Sequence, residues 1–265
     1  MMRALWTAAS GMKAQQLNID TISNNLANVN TTSYKKQRVE FKDLLYVTLK
    51  NSNLNEGKGS PVNLQIGHGV KTSATTRSFM TGSLERTENA ADLAIDGEGF
   101  FAIEGPNGEA FYTRDGNFKF SVLDDEMKLV TADGYTVLSE FDDEIIFEEG
   151  MQNINISENG LITAEDQEGE IQEIATIKLV KFINPEGLEA VGRNLYKMTT
   201  ASGEELPMEE EGRTSNILQG YLETSNVEIV DEMVRMITAQ RAYEISSKAI
   251  QSSDEMLGIA NNLKR

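Results

Sequence analysis

The chain has 265 residues, 39% of them apolar, with 4 prolines, no cysteine and a formal net charge of −18. That length can bury the core of one large domain or two ordinary ones. The acidic balance leaves no basic stripe for phosphates, which excludes nucleic acid as a partner. The missing cysteines exclude disulfides, zinc–thiolate sites and thiol nucleophiles.

The first stretch, Met1 to Ser10, is interrupted by Thr7 and Ser10 and reaches a charge at Lys13. It is too short and too polar for a signal peptide and reads as the start of a mature helix. No apolar run approaches the roughly 20 residues that span a bilayer, so no membrane insertion is expected. Charge is unevenly spread. Residues 1–38 hold five basic side chains against one acidic, residues 223–265 hold five against seven, and the acidity is concentrated between them.

In residues 1–38, Leu5, Ala8, Met12, Gln15, Ile19, Ile22, Leu26 and Val29 recur in alternating steps of three and four. That is the heptad seam of a helix seeking a partner helix. The helix should fail near Asn28 to Ser33, where asparagines, threonines and serine compete for backbone hydrogen bonds. Residues 48–64 are rich in Asn, Gly and Ser and read as a long loop or an arm that orders only on contact.

The middle of the chain reads as β-rich. Asp96-Gly97, Asn107-Gly108, Asp115-Gly116, Asp133-Gly134 and Asn159-Gly160 punctuate short alternating runs, as hairpin turns do. Residues 100–103 and 110–113 are expected to form one such hairpin. Near the C-terminus, Ser225 and Glu228 have the spacing of a capping box. Beyond them Ile229, Met233, Met236, Gln240, Tyr243, Ser247, Ile250 and Leu257 lie near one stripe of a long helix, and Val230, Val234 and Ile237 form a second. A helix apolar on more than one side cannot be covered by one partner. The fold class expected is α+β, with paired terminal helices (a coiled coil) enclosing a central mainly-β domain. The boundaries read as 1–38 and 223–265 for the helices, 39–70 for a connecting arm and 71–222 for the β domain.

Catalytic constellations find little support. His68 is the only histidine, no G-x-S-x-G elbow occurs, and Gly57-Lys58 is followed by glycine rather than Ser or Thr. The run from Asp96 to Ala102 fits a loose dinucleotide fingerprint, but its glycines open a strand rather than a helix. The acidic runs 141–149 and 165–169 lack EF-hand spacing and read as solvated turns. No catalytic residue, metal site or cofactor is expected, and the chain reads as a structural protein. Leu5, Met12, Ile19, Ile22, Leu26 and Val29 on the first helix are the candidate interface residues. On the second they are Ile229, Val230, Met233, Val234, Met236, Ile237, Tyr243, Ile250 and Leu257.

The segment Asn24-Asn25-Leu26-Ala27-Asn28-Val29-Asn30-Thr31-Thr32 resembles the N-terminal signature of flagellar rod and hook proteins. Leu93 to Phe101 and Tyr112 to Gly116 look like that family's β-domain signature. Ala239-Gln240-Arg241-Ala242-Tyr243-Glu244 resembles its C-terminal helix. Ser33 stands where the family usually has glycine, and residues 64–70 look most like the distal-rod members. The resemblance implies a subunit that polymerises with itself into a rod joining motor to hook, the alternative being a proximal-rod or hook-like subunit. It also implies type III export without signal cleavage, contact with proximal-rod and hook-side axial proteins and with a rod bushing, and a location outside the cytoplasmic membrane.

Overall fold

A computed structural model describes residues 2–50, 64–105, 108–123, 126–148, 151–166, 169–208 and 215–262. The architecture is α+β. A helix at each end of the chain, α1 (Met2–Ala27) and α2 (Ile229–Asn262), flanks a mainly β middle. The chain divides into two units. The first holds Met1–Ala27, Gln37–Arg77 and Glu228–Arg265, and the second holds Asn28–Lys36 and Ser78–Val227.

In the first unit, α1 ends at Ala27, immediately before the run of asparagine, threonine and serine that disfavours helix. The α2 helix begins later than its capping box suggests. The first helical hydrogen bond runs from Glu232 N–H to the Glu228 carbonyl, and Ser225 Oγ instead accepts from Val227 N–H at 3.3 Å. A serine can close a local turn in this way instead of capping a helix. The stretch from 37 to 77 is not a bare connection. Gln37–Asp43 pairs antiparallel with Val70–Arg77, and Tyr46–Lys50 with Leu64–Gly67. The rest of the expected arm, residues 51–63, lies outside the described residues.

The second unit is antiparallel throughout its described strands. Its main sheet has ten strands among the described residues, with Phe100–Glu104 central and paired to Ala110–Thr113 as the expected hairpin. A separate three-stranded meander runs through Gln152–Ile156, Leu161–Glu165 and Ile171–Thr176. Turns at Gly108, Gly134 and Gly160 connect hairpin strands, as their Asn-Gly and Asp-Gly pairs predict. The other two pairs do different work. Gly97 and Gly116 sit at bends between strands that take different partners, Leu93–Asp96 pairing with Asn216–Gln219. Leu93, Ile95, Phe101, Ile103, Phe118 and Phe147 form the dry centre. The rings of Phe101 and Phe118 pack edge-to-face with their centroids 5.2 Å apart.

One polar cluster interrupts this apolar interior. Glu223 is fully buried, and its carboxylate accepts from Lys35 Nζ at 2.6 Å, Gly82 N–H at 2.7 Å and Arg114 Nε at 3.0 Å. Lys35 and Arg114 are buried too, and donate further to the carbonyls of Met80 and Gly97. Gly82 approaches so closely that a side chain there would meet the Thr224 carbonyl at 2.1 Å. Ser33 joins the cluster in the left-handed region at φ 53°, the conformation that favours glycine. Serine is held there by its Oγ donating to the Arg114 carbonyl at 2.7 Å and its N–H to the Glu223 carbonyl at 2.8 Å.

Two cations share one buried anion, so the cluster carries excess positive charge. Burial, together with the nearby Arg114 guanidinium, pulls the Lys35 ammonium down from its ordinary 10.5 to about 8. In the folded protein Lys35 therefore sheds its proton near pH 8, while the unfolded chain holds it until about 10.5. The penalty for keeping it charged is complete below pH 8 and fades across that window, so stability from this group rises with pH. Glu223→Gln should strand two buried cations and cost about 3–5 kcal/mol. Lys35→Met, which leaves the Arg114–Glu223 pair intact, should cost less. Urea titrations followed by far-UV circular dichroism check both. Between pH 8 and 10 the wild type should gain stability relative to Lys35→Met, and a flat difference would contradict the assignment.

Candidate assembly interface

The first unit is built around the contact between α1 and α2. Asn25 Nδ2 donates to Glu232 Oε2 at 3.1 Å, and a methyl group placed on Gly11 would lie 3.5 Å from Ser246 Oγ. These contacts stand fourteen residues apart on each helix and run in opposite senses. The helices are therefore antiparallel, with Asn25 level with Glu232 and Gly11 level with Ser246.

Apart from Ile22, the buried residues of this seam are small or polar. On α2, Glu232, Ala239 and Ser253 are buried and Ser246 is half-buried, one every seven positions. On α1, Ala14, Thr21, Ile22 and Asn25 are buried. Small side chains let two helix backbones approach closely, whatever their hydropathy. Asn25 also knits in the neighbouring strand, donating to the Gln37 carbonyl and accepting from Gln37 N–H, both at 2.9 Å. Arg235 stands 3.8 Å from Glu232 across a polar pocket of about 420 Å³.

The candidate residues separate into two sets against this geometry. Ile22 is buried, and Leu5, Met12, Ile19 and Leu26 are half-buried on α1. Met236, Ile250 and Leu257 are half-buried beside the seam of α2, with Tyr243 on the same row but more exposed. Ile229, Val230, Met233, Val234 and Ile237 lie on the outside of α2, Val230 at 73% and Ile237 at 53% exposure. Trp6, at 75% exposure, does the same on α1. Val29 is half-buried in the second unit, in the turn after α1. Of the signature residues, Asn25 makes the interhelical hydrogen bond, while Gln240, Arg241 and Glu244 are exposed and Ala242 is half-buried. Ala27, Asn28, Asn30 and Thr31 lie at the end of α1 and in its turn, where Thr31 Oγ1 donates to Asn28 Oδ1. Sequence periodicity could not single out Gly11, Ser246 and Ser253, which carry no apolar surface to mark them.

Elsewhere several of the ionisable groups that the sequence singles out are paired. His68 is exposed beyond the strand Leu64–Gly67. Asp142 pairs with Lys178, which also meets Glu205, and Glu144 pairs with Lys128, while Glu149 lies outside the described residues. A cleft of about 600 Å³ in the second unit is lined by Phe79, Phe100 and Phe182, with Glu98 and Lys181 paired on its rim. The glycines at 97 and 99 precede the strand Phe100–Glu104, so they do not open a phosphate-binding helix.

A close-packed pair of terminal helices with unused apolar faces, attached to a β body, defines an assembly subunit. Family profiles agree in chain order. Residues 5–35 match the flagella basal body rod protein family, 94–164 the flagellar hook protein FlgE/F/G D1 domain, and 218–263 the flagellar basal body rod FlgEFG protein C-terminal region. The flagellar basal-body rod protein FlgG of Borreliella burgdorferi is 52% identical over the whole of both chains. FlgG of Bacillus subtilis is 39% identical, again over all of both, and the hook-basal body complex protein FlhP of that organism 33% over all of both. The chain belongs to the FlgG family of flagellar basal-body rod proteins, and it is a structural protein rather than an enzyme.

The seam predicts asymmetric tolerance. Gly11→Ala adds only an ordinary contact and should be neutral or stabilising by up to about 1 kcal/mol, since alanine favours helix. Gly11→Leu should separate the helices. Asn25→Ala should leave the buried Glu232 carboxylate with only the longer contact to Arg235 and cost about 1–3 kcal/mol. Fluorescence of Trp6, the chain's only tryptophan, reports on α1 during denaturation and measures all three.

Proposed function

We propose that the chain polymerises helically into the distal rod of the flagellar basal body and transmits torque from motor to hook. The observation that carries this is the outer face of α2. Ile229, Val230, Met233, Val234 and Ile237 stand in solvent on a helix whose other side is already occupied by α1. An apolar face of this extent marks a site of association. Contacts that are heterologous and do not close into a ring generate a tube.

On this reading α1 and α2 form an inner coiled-coil layer around an export channel, and the β unit forms the outer layer. The arm expected over residues 39–70 goes with the helices, since Gln37–Asp43 pairs with Val70–Arg77 in their unit. The subunit works outside the cytoplasmic membrane, in periplasm or cell wall, after passage through the type III export apparatus. Its ends abut proximal-rod and hook-side axial proteins, and a bushing surrounds it. Placement in the distal rod rests on the higher identity to FlgG than to FlhP of one organism.

Ile237→Asp should abolish polymerisation while leaving the β unit folded, because Ile237 stands 53% exposed on the outside of α2 and belongs to the other unit. Leu26→Asp should also weaken the subunit itself, since Leu26 is half-buried on α1. Sedimentation of assembled material together with circular dichroism of the soluble chain tests both. Normal polymer yield from Ile237→Asp would count against this function.

A further inference from the structure

The antiparallel pair leaves two opposite outer faces. On α1, the positions turned away from the seam are Met2, Trp6, Ala9, Lys13, Gln16 and Asp20, all exposed. On α2 the corresponding row is Val234, Arg241, Lys248 and Glu255, flanked by the exposed Ile245 and Ile259. Among the described residues, Lys13, Asp20, Lys248 and Glu255 make no ion pair within their own copy.

We propose that the outer face of α1 in one copy docks antiparallel on the outer face of α2 in a second copy, in the register that sets Asp20 against Lys248 and Lys13 against Glu255. This rests on the polymerisation reading above and specifies its contact. The α1 row has a base followed seven residues later by an acid. An antiparallel partner must offer a base followed seven residues later by an acid, and on α2 that order occurs once, at Lys248 and Glu255. A parallel match exists only at Glu228 and Arg235, and it would carry the first turns of α1 past the start of α2 at Ile229.

The antiparallel register also brings Ala9 level with Ile259, with Trp6 one turn further along to cover it. Area burial by Trp6 and Ile259 supplies attraction, since exposed charge pairs contribute little affinity. The charges exclude misaligned registers, because like charges brought together repel. The two faces lie on opposite sides of the helix pair, so the contact is heterologous and repeats from copy to copy. Val230, Val234 and Ile237 extend beyond the end of α1 in this register and stay free for a further neighbour.

The chain has no cysteine, which makes disulfide trapping clean. Full-length chain carrying Asp20→Cys and Lys248→Cys should assemble and, on oxidation, give a ladder of covalent oligomers on a non-reducing gel. Asp20→Cys with Arg241→Cys, a register two turns away, should give none. Polymer without a ladder, a ladder from the control pair, or dimers alone would overturn the register while leaving polymerisation standing. Failure of the unmodified chain to polymerise would overturn both. Should the cysteines themselves block assembly, charge exchange decides. Asp20→Lys and Lys248→Asp should each reduce polymer yield and together restore it, and absence of recovery would overturn the pairing.

Discussion

Two buried carboxylates close this chain on itself. In the first unit Glu232 holds Asn25 across 207 positions of sequence, and in the second Glu223 holds Lys35 across 188. Closing loops of that length costs entropy, though the cost grows only logarithmically with length. What makes the closures specific is desolvation. A carboxylate removed from water must find its donors or lose several kcal/mol, so each glutamate accepts few arrangements of its surroundings. Glu223 spends its carboxylate on a lysine, an arginine and a backbone N–H, and Glu232 takes the amide that also fixes the strand at Gln37. Each unit is thus anchored by one residue from the start of the chain and one from its end.

The consequence for assembly is that the helix pair has its partner before any second copy arrives. Because the seam holds glycine, alanine, serine, threonine and an Asn–Glu hydrogen bond around the buried Ile22, it leaves much of the apolar surface on α1 and α2 uncovered. Trp6, Val230, Val234, Ile237 and Ile259 are among the large side chains left outside. A seam of leucines would have buried them internally and left a polar, self-contained subunit. Close packing of small residues inside and exposure of large ones outside are two sides of the same allocation.

Much of this was legible in the sequence. Helices of 26 and 34 residues repeat their pattern often enough to stand out, and Asn-Gly and Asp-Gly pairs marked three hairpins correctly. Which face of each helix turns inward was harder to read. Hydropathy identifies Val230 and Ile237 as seeking cover but cannot say whether the cover is α1 or another molecule, and it passes over Gly11 and Ser246 altogether. The strands Gln37–Asp43 and Val70–Arg77 escaped because residues such as Lys71, Thr72, Ser73 and Thr75 show no apolar alternation. The Lys35–Glu223–Arg114 cluster has no local signature, since its members are single charges far apart in sequence. Ser33 stands where the family usually has glycine, and the structure shows why glycine suits the position, since φ is positive there.

Charge shapes how the exposed apolar helices of two copies can meet. By sequence, the first unit is close to neutral, while the second holds 32 acidic against 11 basic side chains. Two copies approaching through their β units repel, and at physiological salt that repulsion reaches only about 8 Å. Random encounters are therefore discouraged at the β surface, whereas the helices, whose charges of the two signs nearly cancel, attract at contact range. Productive contact then requires the helix faces to meet in a geometry that keeps the anionic units apart.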